Sequence, residues 1–141
     1  MPVQDDNQIR YILQTVKTIA MLGASPKPER PSYGVMRFLL EKGYRVIPVN
    51  PGQVGKDLHG QSFVGSLSDI AEPVDMVDVF RESGALPAIV DEILRLKWRP
   101  AVLWAQLGVV HEEAARQAEA AGMRVVMDKC PVIEYSRLID G

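Results

Sequence analysis

The sequence predicts an α/β protein built on a doubly wound, mostly parallel sheet with helices on both faces, a three-layer α/β/α arrangement. Short apolar runs alternate with helix-length amphipathic segments along the whole chain, and this alternation is typical of parallel sheets. The runs lack regular polar interruption, as expected of strands that are buried on both faces. The first run leads through a small-residue turn into a helix, an arrangement with which α/β proteins bind nucleotide phosphates.

Four elements are predicted in the first third of the chain: a helix from Asp6 or Asn7 to about Thr15, a strand over Thr18–Leu22, a helix from Ser32 to Glu41 or Lys42, and a strand over Tyr44–Val49. Asp6 and Asn7 are both good N-cap residues, and Gly43 ends the second helix. The residues expected to face the core on these helices are Ile9, Ile12, Leu13, Val16, Val35, Phe38 and Leu39.

Four glycines make the segment Asn50–Ser68 irregular and exclude a full crossover helix there. We expect a short edge strand near Gln61–Val64 and one helical turn near Leu67–Ile70. The elements predicted after it are a strand over Met76–Phe80, a helix over Leu86–Leu96 with Ile89, Val90, Ile93 and Leu94 inward, a strand over Ala101–Ala105, a helix over His111–Ala121 and a strand over Arg124–Met127. No element is predicted in the mixed tail Asp128–Gly141.

Length and composition predict one soluble globular domain over residues 1–141, with 47% hydrophobic and 24% charged residues. The net charge of −2 argues against nucleic-acid binding by bulk electrostatics. No apolar run approaches the ~20 residues that span a bilayer, and Met1–Asp6 lacks signal-peptide character. The lone Cys130 excludes an internal disulfide, and together these features predict a cytoplasmic protein.

The predicted topology places a ligand crevice where the strand order reverses, above the first strand and the Met76–Phe80 strand. The ligand should then touch the loops that follow Leu22, Val49, Val79 and Ala105. The residues of these loops form the candidate site: Gly23, Ala24, Ser25, Asn50, Pro51, Phe80, Arg81, Gln106, Leu107 and Gly108.

Two common nucleotide motifs are absent from this site. The turn Gly23-Ala24-Ser25-Pro26-Lys27-Pro28 keeps only the first glycine of the dinucleotide fingerprint. The second strand ends in Val49-Asn50-Pro51, with neither the carboxylate that holds an NAD ribose nor an arginine for NADP. No P-loop string occurs either. The sequence therefore favours a nucleotide-like ligand other than NAD or a magnesium-bound triphosphate.

For each candidate residue, the sequence leaves two interpretations open: contact with the ligand, or a structural role without ligand contact. Ser25 either contacts phosphate or caps a turn, and Arg81 either pairs with phosphate or stays in solvent. Asn50 either contacts the ligand or shapes a turn before Pro51. At least one of the loop cations should meet an anionic ligand, and these are Lys27, Arg30 and Lys56. Tyr33 and Phe80 either stack on a base or pack against the sheet.

Catalytic and metal-binding constellations are not found in the sequence. His59 and His111 are too isolated for a zinc site. No pair of carboxylates, Ser-His-Asp set or Cys-His set is recognisable. We therefore expect neither a catalytic residue nor a metal.

Five strings occur in an order and spacing that resemble a known family. They are Gly23-Ala24-Ser25, Gly43-Tyr44-Arg45-Val46-Ile47-Pro48-Val49-Asn50-Pro51, Val74-Asp75-Met76-Val77-Asp78-Val79-Phe80, Trp104-Ala105-Gln106-Leu107-Gly108 and Val125-Val126-Met127-Asp128-Lys129-Cys130. Together they resemble the small, single-domain CoA-binding proteins, which are similar to the N-terminal domain of the succinyl-CoA synthetase α subunit. The resemblance spans Thr18–Cys130.

The resemblance implies a Rossmann-like fold with coenzyme A in the predicted crevice. Ser25 and nearby backbone N–H groups would hold phosphate, with Lys27 and Arg30 within reach of the CoA phosphates. The implied linings are Val49, Asn50 and Pro51 on the adenine or ribose side, and Val79, Phe80, Arg81, Gln106, Leu107 and Gly108 along the pantetheine path. The catalytic phosphohistidine of the larger synthetase is not implied, because neither histidine lies in the matching motif.

Three functional hypotheses are open at this point. The first is a CoA or acyl-CoA carrier, sensor or regulatory subunit, with a protein partner or homo-oligomer left open. The second is a nucleotide-linked enzyme, either an NAD(P)-dependent oxidoreductase or an acyl-CoA ligase component that needs a partner chain. The third is a structural protein whose site has decayed. Cys130 is either a small buried apolar group or the site of a mixed disulfide with the CoA thiol.

Overall fold

The structure is a computed structural model that describes residues 2–141. Its strands are β1 (Thr18–Leu22), β2 (Arg45–Val49), β3 (Asp57–Leu58), β4 (Gln61–Ser62), β5 (Met76–Val79), β6 (Val102–Ala105) and β7 (Arg124–Val126). Its α-helices are α1 (Asp6–Thr15), α2 (Pro31–Glu41), α3 (Leu86–Arg95), α4 (Glu112–Ala120) and α5 (Pro131–Leu138).

Five of these strands form one parallel sheet in the order β2-β1-β5-β6-β7. The chain starts in the middle at β1, extends to β2 on one side, and then returns to β5 on the other side. The strand order therefore reverses between β1 and β5, which opens a crevice at their carboxyl ends. The predicted doubly wound α/β fold is confirmed.

Successive side chains of a strand point to opposite faces of the sheet. Both faces are therefore apolar, and helices pack on each of them. In β1, Ile19 and Met21 join the core that includes residues of α1, α2 and α5. Ala20 and Leu22 join the opposite core, which includes residues of α3 and α4. The strands are therefore buried on both sides, as their uninterrupted apolar runs predicted.

The predicted edge strand near Gln61–Val64 is only partly formed. β4 pairs with β3 in a separate antiparallel hairpin, and Val64 makes a single parallel bridge to Val49 of β2. Two backbone hydrogen bonds support the bridge, from Asn50 N to Val64 O (2.9 Å) and from Val64 N to Pro48 O (3.0 Å). The predicted turn nearby is a 3₁₀ turn over Leu67–Asp69.

The tail forms helix α5, which the sequence analysis missed. The helix is short, and Ile133 is exposed on it, so its apolar periodicity is weak. It is held by tertiary contacts: the Arg137 guanidinium pairs with Asp6 at 2.8 Å, and the Tyr135 ring meets the Phe38 ring edge-on at a centroid distance of 5.6 Å. Pro131 in the first turn is the sequence feature that indicated the start of a helix here.

Two residues that were predicted to face the core, Phe38 and Leu94, are not buried. The sequence alone does not show how the neighbouring helices are placed, so it does not show which side chains they cover. Phe38 is only half-buried, because it packs at the margin of the core with its ring against Tyr135 of α5. Met36, which was not predicted, is fully buried instead. Leu94 lies on the outer side of α3 and is 36% exposed.

A cleft at the carboxyl edge of the sheet

A cleft of about 1190 Å³ lies at the point where the strand order reverses. Its floor and walls come from the loops after β1, β2, β5 and β6, the four loops that the topology predicted. The predicted residues that line it are Gly23, Ser25, Lys27, Arg30, Val49, Asn50, Pro51, Phe80, Arg81, Gln106 and Leu107.

Four predicted residues do not line the cleft. Ala24 and Val79 are fully buried beneath it, where they pack in the two cores. Gly108 lies in the loop after β6, between the lining residues Leu107 and Val109. Lys56 is exposed on the glycine-rich segment.

Gly23 allows the chain to turn closely past the neighbouring strand. Its φ is +80°, and a Cβ atom there would lie 2.4 Å from the carbonyl oxygen of Phe80. Its N–H donates to Val49 O at 2.9 Å, so the ends of β1, β2 and β5 are held together at this point. A side chain would both strain the backbone and push the Phe80 loop away.

Ser25 lies in a polar turn at the entrance to α2. Its N–H donates to Ser32 Oγ at 3.0 Å, and its own Oγ accepts from Lys27 N at 3.2 Å. The hydroxyl proton of Ser25 has no acceptor among the described residues, so it can be donated to a ligand. Ser25 therefore shapes the turn and keeps a free donor.

The amino-terminal end of α2 contributes to the cleft next to this turn. Pro31 and Ser32 line the cleft at the first turn of the helix, and the N-cap Arg30 provides no side-chain cap. Helix N-termini attract anions through free N–H groups and the helix dipole. The exposed side chains of Lys27 and Arg30 stand beside it and pair with no carboxylate within residues 2–141. This end of the cleft suits a phosphate.

Asn50 uses both ends of its side-chain amide within the protein. Its Nδ2 donates to Ala24 O at 2.9 Å, and its Oδ1 accepts from Gly52 N at 2.9 Å. It therefore joins the loop after β1 to the loop after β2 and fixes the width of the cleft between them.

Arg81 is paired with a neighbouring acid in this structure. Its guanidinium lies 3.0 Å from the Glu82 carboxylate, and its side chain is 48% exposed. The backbone hydrogen bond of Glu82 and the Arg81 pair hold the pKa of Glu82 below its usual value. An anionic ligand would compete with Glu82 for Arg81.

The loop after β6 is held firmly around Gln106. Gly108 N donates to Asp128 Oδ1 at 2.7 Å, and Ser83 Oγ donates to Gly108 O at 3.2 Å. Gln106 itself is only 7% exposed, and its Oε1 accepts no hydrogen bond from the described residues. A buried acceptor without a donor is costly, and because this oxygen has almost no accessible surface, a rotation of the side chain is needed to present it to the cleft.

Several lining residues were not predicted. They are Leu22, Pro31, Ser32, Val35, Gln53, Gly65, Ser66, Glu82, Ile89, Glu92, Val109 and Cys130. Gln53 resembles Gln106, because its Oε1 is buried and also lacks a partner. The helix residues Ile89 and Glu92 had no sequence signal, since their place in the cleft depends on how α3 packs.

Outside the cleft, Asp78 is the most unusual polar side chain. It is fully buried in β5 with no hydrogen bond to either carboxylate oxygen, and it is in register between Met21 and Trp104. Burial raises the pKa of this carboxyl well above its usual range. Burial therefore favours the neutral acid over the charged carboxylate in the folded protein.

Both histidines have structural partners. His59 Nε2 lies 2.9 Å from Tyr33 O, and His111 Nδ1 accepts from Ala114 N at the start of α4. Within residues 2–141, no group of three or more His, Cys, Asp or Glu side chains is placed to hold a metal ion. Nor does this range contain a helix of the length and apolar character that crossing a membrane requires.

Comparison with known proteins identifies the family. Residues 17–136 match the family model described as a CoA binding domain, and the chain belongs to this family. It is 42% identical over 129 residues to protein YneT of Bacillus subtilis (strain 168), covering 92% of this chain and 93% of YneT. The solved structure of cell-free ID.343 from Thermus thermophilus has a TM-score of 0.90 at 44% identity, covering 96% of this chain and all of that one.

A larger enzyme subunit is also related. The α subunit of ADP-forming acetate–CoA ligase I from Pyrococcus furiosus is 31% identical over 80 residues. The match covers 54% of this chain but 17% of that subunit. The similarity to succinyl-CoA synthetase-like proteins is therefore confirmed.

Proposed function

We propose that this protein binds coenzyme A or an acyl-CoA in the cleft between β1 and β5, and that it acts as a carrier, sensor or regulatory subunit. The observation that carries the proposal is the polarity of the cleft along its length. One end offers a helix N-terminus and cations, and the other offers a buried, unpartnered amide oxygen among apolar side chains. Coenzyme A has the same order of groups, with phosphates at one end and an amide-containing pantetheine arm at the other.

The phosphate end is the turn between β1 and α2. The Ser25 hydroxyl and the first turn of α2 would donate to phosphate oxygens, as helix N-termini do. Lys27 and Arg30 would add positive charge, and Arg81 would leave Glu82 for a phosphate.

The pantetheine end is the loop after β6. After a rotation of its side chain, the orphaned Oε1 of Gln106 would accept an amide N–H of the arm. Its methylene groups would contact the apolar wall of Phe80, Ile89 and Val109. This combination of apolar surface with a few fixed polar atoms is typical of a cofactor site.

The cleft is less suited to NAD(P). The end of β2 has Asn50 where the dinucleotide fold needs an acid for the ribose, and both ends of the Asn50 amide are engaged by the protein. A ligase component that needs a partner chain remains the second candidate. The relationship to the acetate–CoA ligase α subunit favours it. Because the match covers only 17% of that subunit, a ligase activity would need further segments from a partner chain.

Thermal unfolding with matched ligands tests the proposal. The melting temperature is measured with CoA, acetyl-CoA, NAD, NADP and ATP at one concentration. A ligand at 100 times its dissociation constant adds ~2.7 kcal/mol, a rise of several degrees for this length. We expect the rise with CoA and acetyl-CoA alone. A rise with NAD or NADP, or none with CoA, would contradict the proposal.

A further inference from the structure

We propose that a groove between α2 and α5 receives the acyl chain of an acyl-CoA bound in the cleft, and that the preferred ligands are thioesters with an uncharged aliphatic chain. The inference rests on the proposed function and deepens it, because it names the class of acyl group. The groove has a volume of about 660 Å³, within the range of about 300–1,000 Å³ that is usual for ligand pockets.

The groove lies between two helices that are held together at their carboxyl ends. There the Phe38 ring meets the Tyr135 ring at a centroid distance of 5.6 Å, and Lys42 Nζ lies 3.0 Å from the Asp140 carboxylate. Nearer the amino end of α2, Gly34 lines the groove without a side chain, and an added Cβ atom would have no neighbour within 4 Å. The missing side chain therefore contributes to the space between the helices.

The lining of the groove combines apolar side chains with two opposite charges. Phe38 and Val132 are half-buried, and Ile133 is 51% exposed. Neighbouring exposed apolar side chains are common in binding grooves. Arg37 and Glu41 are the exposed charged residues of the lining, so its net charge is zero. An aliphatic chain would cover the apolar surface, whereas a charged group would leave water without net attraction.

The groove follows one side of α2 for most of the helix. Its residues on α2 recur at spacings of three and four, which places them on one face. The first and the last of them are about 15 Å apart along the helix axis. An acetyl group fills only a small part of this length, so the groove predicts a longer chain. The α2 residues that line it are Pro31, Gly34, Val35, Arg37, Phe38 and Glu41.

The groove adjoins the cleft at the end proposed for the pantetheine arm. Pro31, Val35 and Cys130 line both spaces, and Pro31 is exposed, so the border is open to solvent. Lys129, which precedes Cys130, donates its N–H to Ala105 O at 3.4 Å. This bond places the border beside the loop after β6. An acyl chain that leaves the pantetheine arm there can enter the groove.

Calorimetric titration of a series of CoA thioesters into the full chain tests the inference. The series is CoA and acetyl-, butyryl-, hexanoyl- and octanoyl-CoA, with succinyl-CoA as the charged counterpart of butyryl-CoA. We expect the dissociation constant to fall about fourfold for each methylene group that the groove covers. Succinyl-CoA should bind more weakly than butyryl-CoA, because its carboxylate would have to leave water.

Two variants locate the effect in the groove. Gly34→Leu would fill the groove, and Gly34 lies outside the cleft lining, so CoA and acetyl-CoA should bind as before while the gain from longer chains disappears. Ile133→Ser should reduce that gain, because it removes an apolar wall. Leu94→Ser is the matched control, since Leu94 is a 36% exposed helix residue outside both linings. It should leave the dependence on chain length unchanged.

The outcomes separate the two proposals. Equal affinity across the uncharged series, a gain that survives in Gly34→Leu, or tighter binding of succinyl-CoA than of butyryl-CoA would overturn the inference. A ligand-free dimer that Gly34→Leu dissociates, measured by sedimentation, would assign the groove to a second copy of the chain and overturn it too. If CoA binds and chain length has no effect, the proposed function stands alone. If no compound of the series binds, both proposals fall.

Discussion

At the scale of single residues, two of the three unsatisfied polar side chains among residues 2–141, Gln106 and Asp78, differ in where they lie. Gln106 lines the cleft, and its Oε1 is buried and unpartnered. Asp78 is unpartnered between core side chains, outside the cleft lining, and burial favours its neutral form by raising its pKa. We propose a ligand N–H for the first, whereas the second is a cost that the rest of the core offsets.

Replacement of Gln106 by leucine should separate affinity from stability. The change removes the orphaned oxygen, so the free energy of unfolding should stay constant or rise. CoA should bind more weakly by about 0.5–1.5 kcal/mol because an amide hydrogen bond is lost. Urea unfolding and calorimetry measure the two quantities. Unchanged CoA affinity would remove Gln106 from the binding site.

Replacement of Asp78 by asparagine should change how stability depends on pH. Burial raises the pKa of the folded carboxyl, whereas the unfolded carboxyl titrates near ~4. Between these values the unfolded state binds fewer protons, so this group lowers stability as pH rises, by up to ~1.4 kcal/mol per pH unit.

The measurement is urea unfolding of both proteins from pH 4 upward. The stability of Asp78→Asn relative to the wild type should rise with pH and level off above the folded pKa. A difference that stays constant across this range would show that Asp78 ionises normally in the folded state.

At the scale of elements, the turn between β1 and α2 combines a packing requirement with a binding surface. Gly23 meets the packing requirement, since its positive φ and the contact with Phe80 exclude a side chain. Ser25 and the first turn of α2 provide the binding surface. The two roles predict different effects of substitution.

Gly23→Ala should destabilise the protein by about 1–3 kcal/mol because its conformation is unfavourable for alanine and its Cβ would meet a backbone oxygen. Gly34→Ala is the matched control, since Gly34 lies inside α2 with no neighbour within 4 Å of the added Cβ. It should stabilise by about 0.5–1 kcal/mol. Chemical unfolding of both variants checks this, and effects of the same sign would contradict the account of the turn.

Ser25→Asp should weaken CoA binding by about 1–3 kcal/mol, because it replaces a hydroxyl donor with a negative charge beside the phosphate position. Ser25→Ala, which adds no charge, should cost less. Calorimetry on both variants gives the comparison, with chemical unfolding to confirm that each is folded. If Ser25→Asp binds CoA as the wild type does, the phosphate lies elsewhere.

At the scale of the whole molecule, the sequence predicted what depends on local pattern and topology. Uninterrupted apolar runs located the five parallel strands, and the strand order followed from the right-handed crossover rule. The same rule placed Gly23, Phe80 and Gln106 on one cleft, although they are far apart in sequence.

Features that depend on packing between elements were not predictable. Helix α5 is stabilised by Phe38 and Asp6 from other helices rather than by its own pattern. For the same reason Phe38 and Leu94 were misplaced, and Ile89 and Cys130 were not expected in the cleft. A side chain on one helix cannot be assigned to a cleft before the angle of that helix is known.

The central claim is that the cleft binds coenzyme A, and isothermal titration of CoA into the reduced protein tests it most directly. We predict saturable binding with one CoA per chain, weakened by added salt because phosphates meet cations, and weakened further in Ser25→Asp. An absence of binding heat at several temperatures, or binding that is indifferent to Ser25→Asp and to salt, would contradict the account.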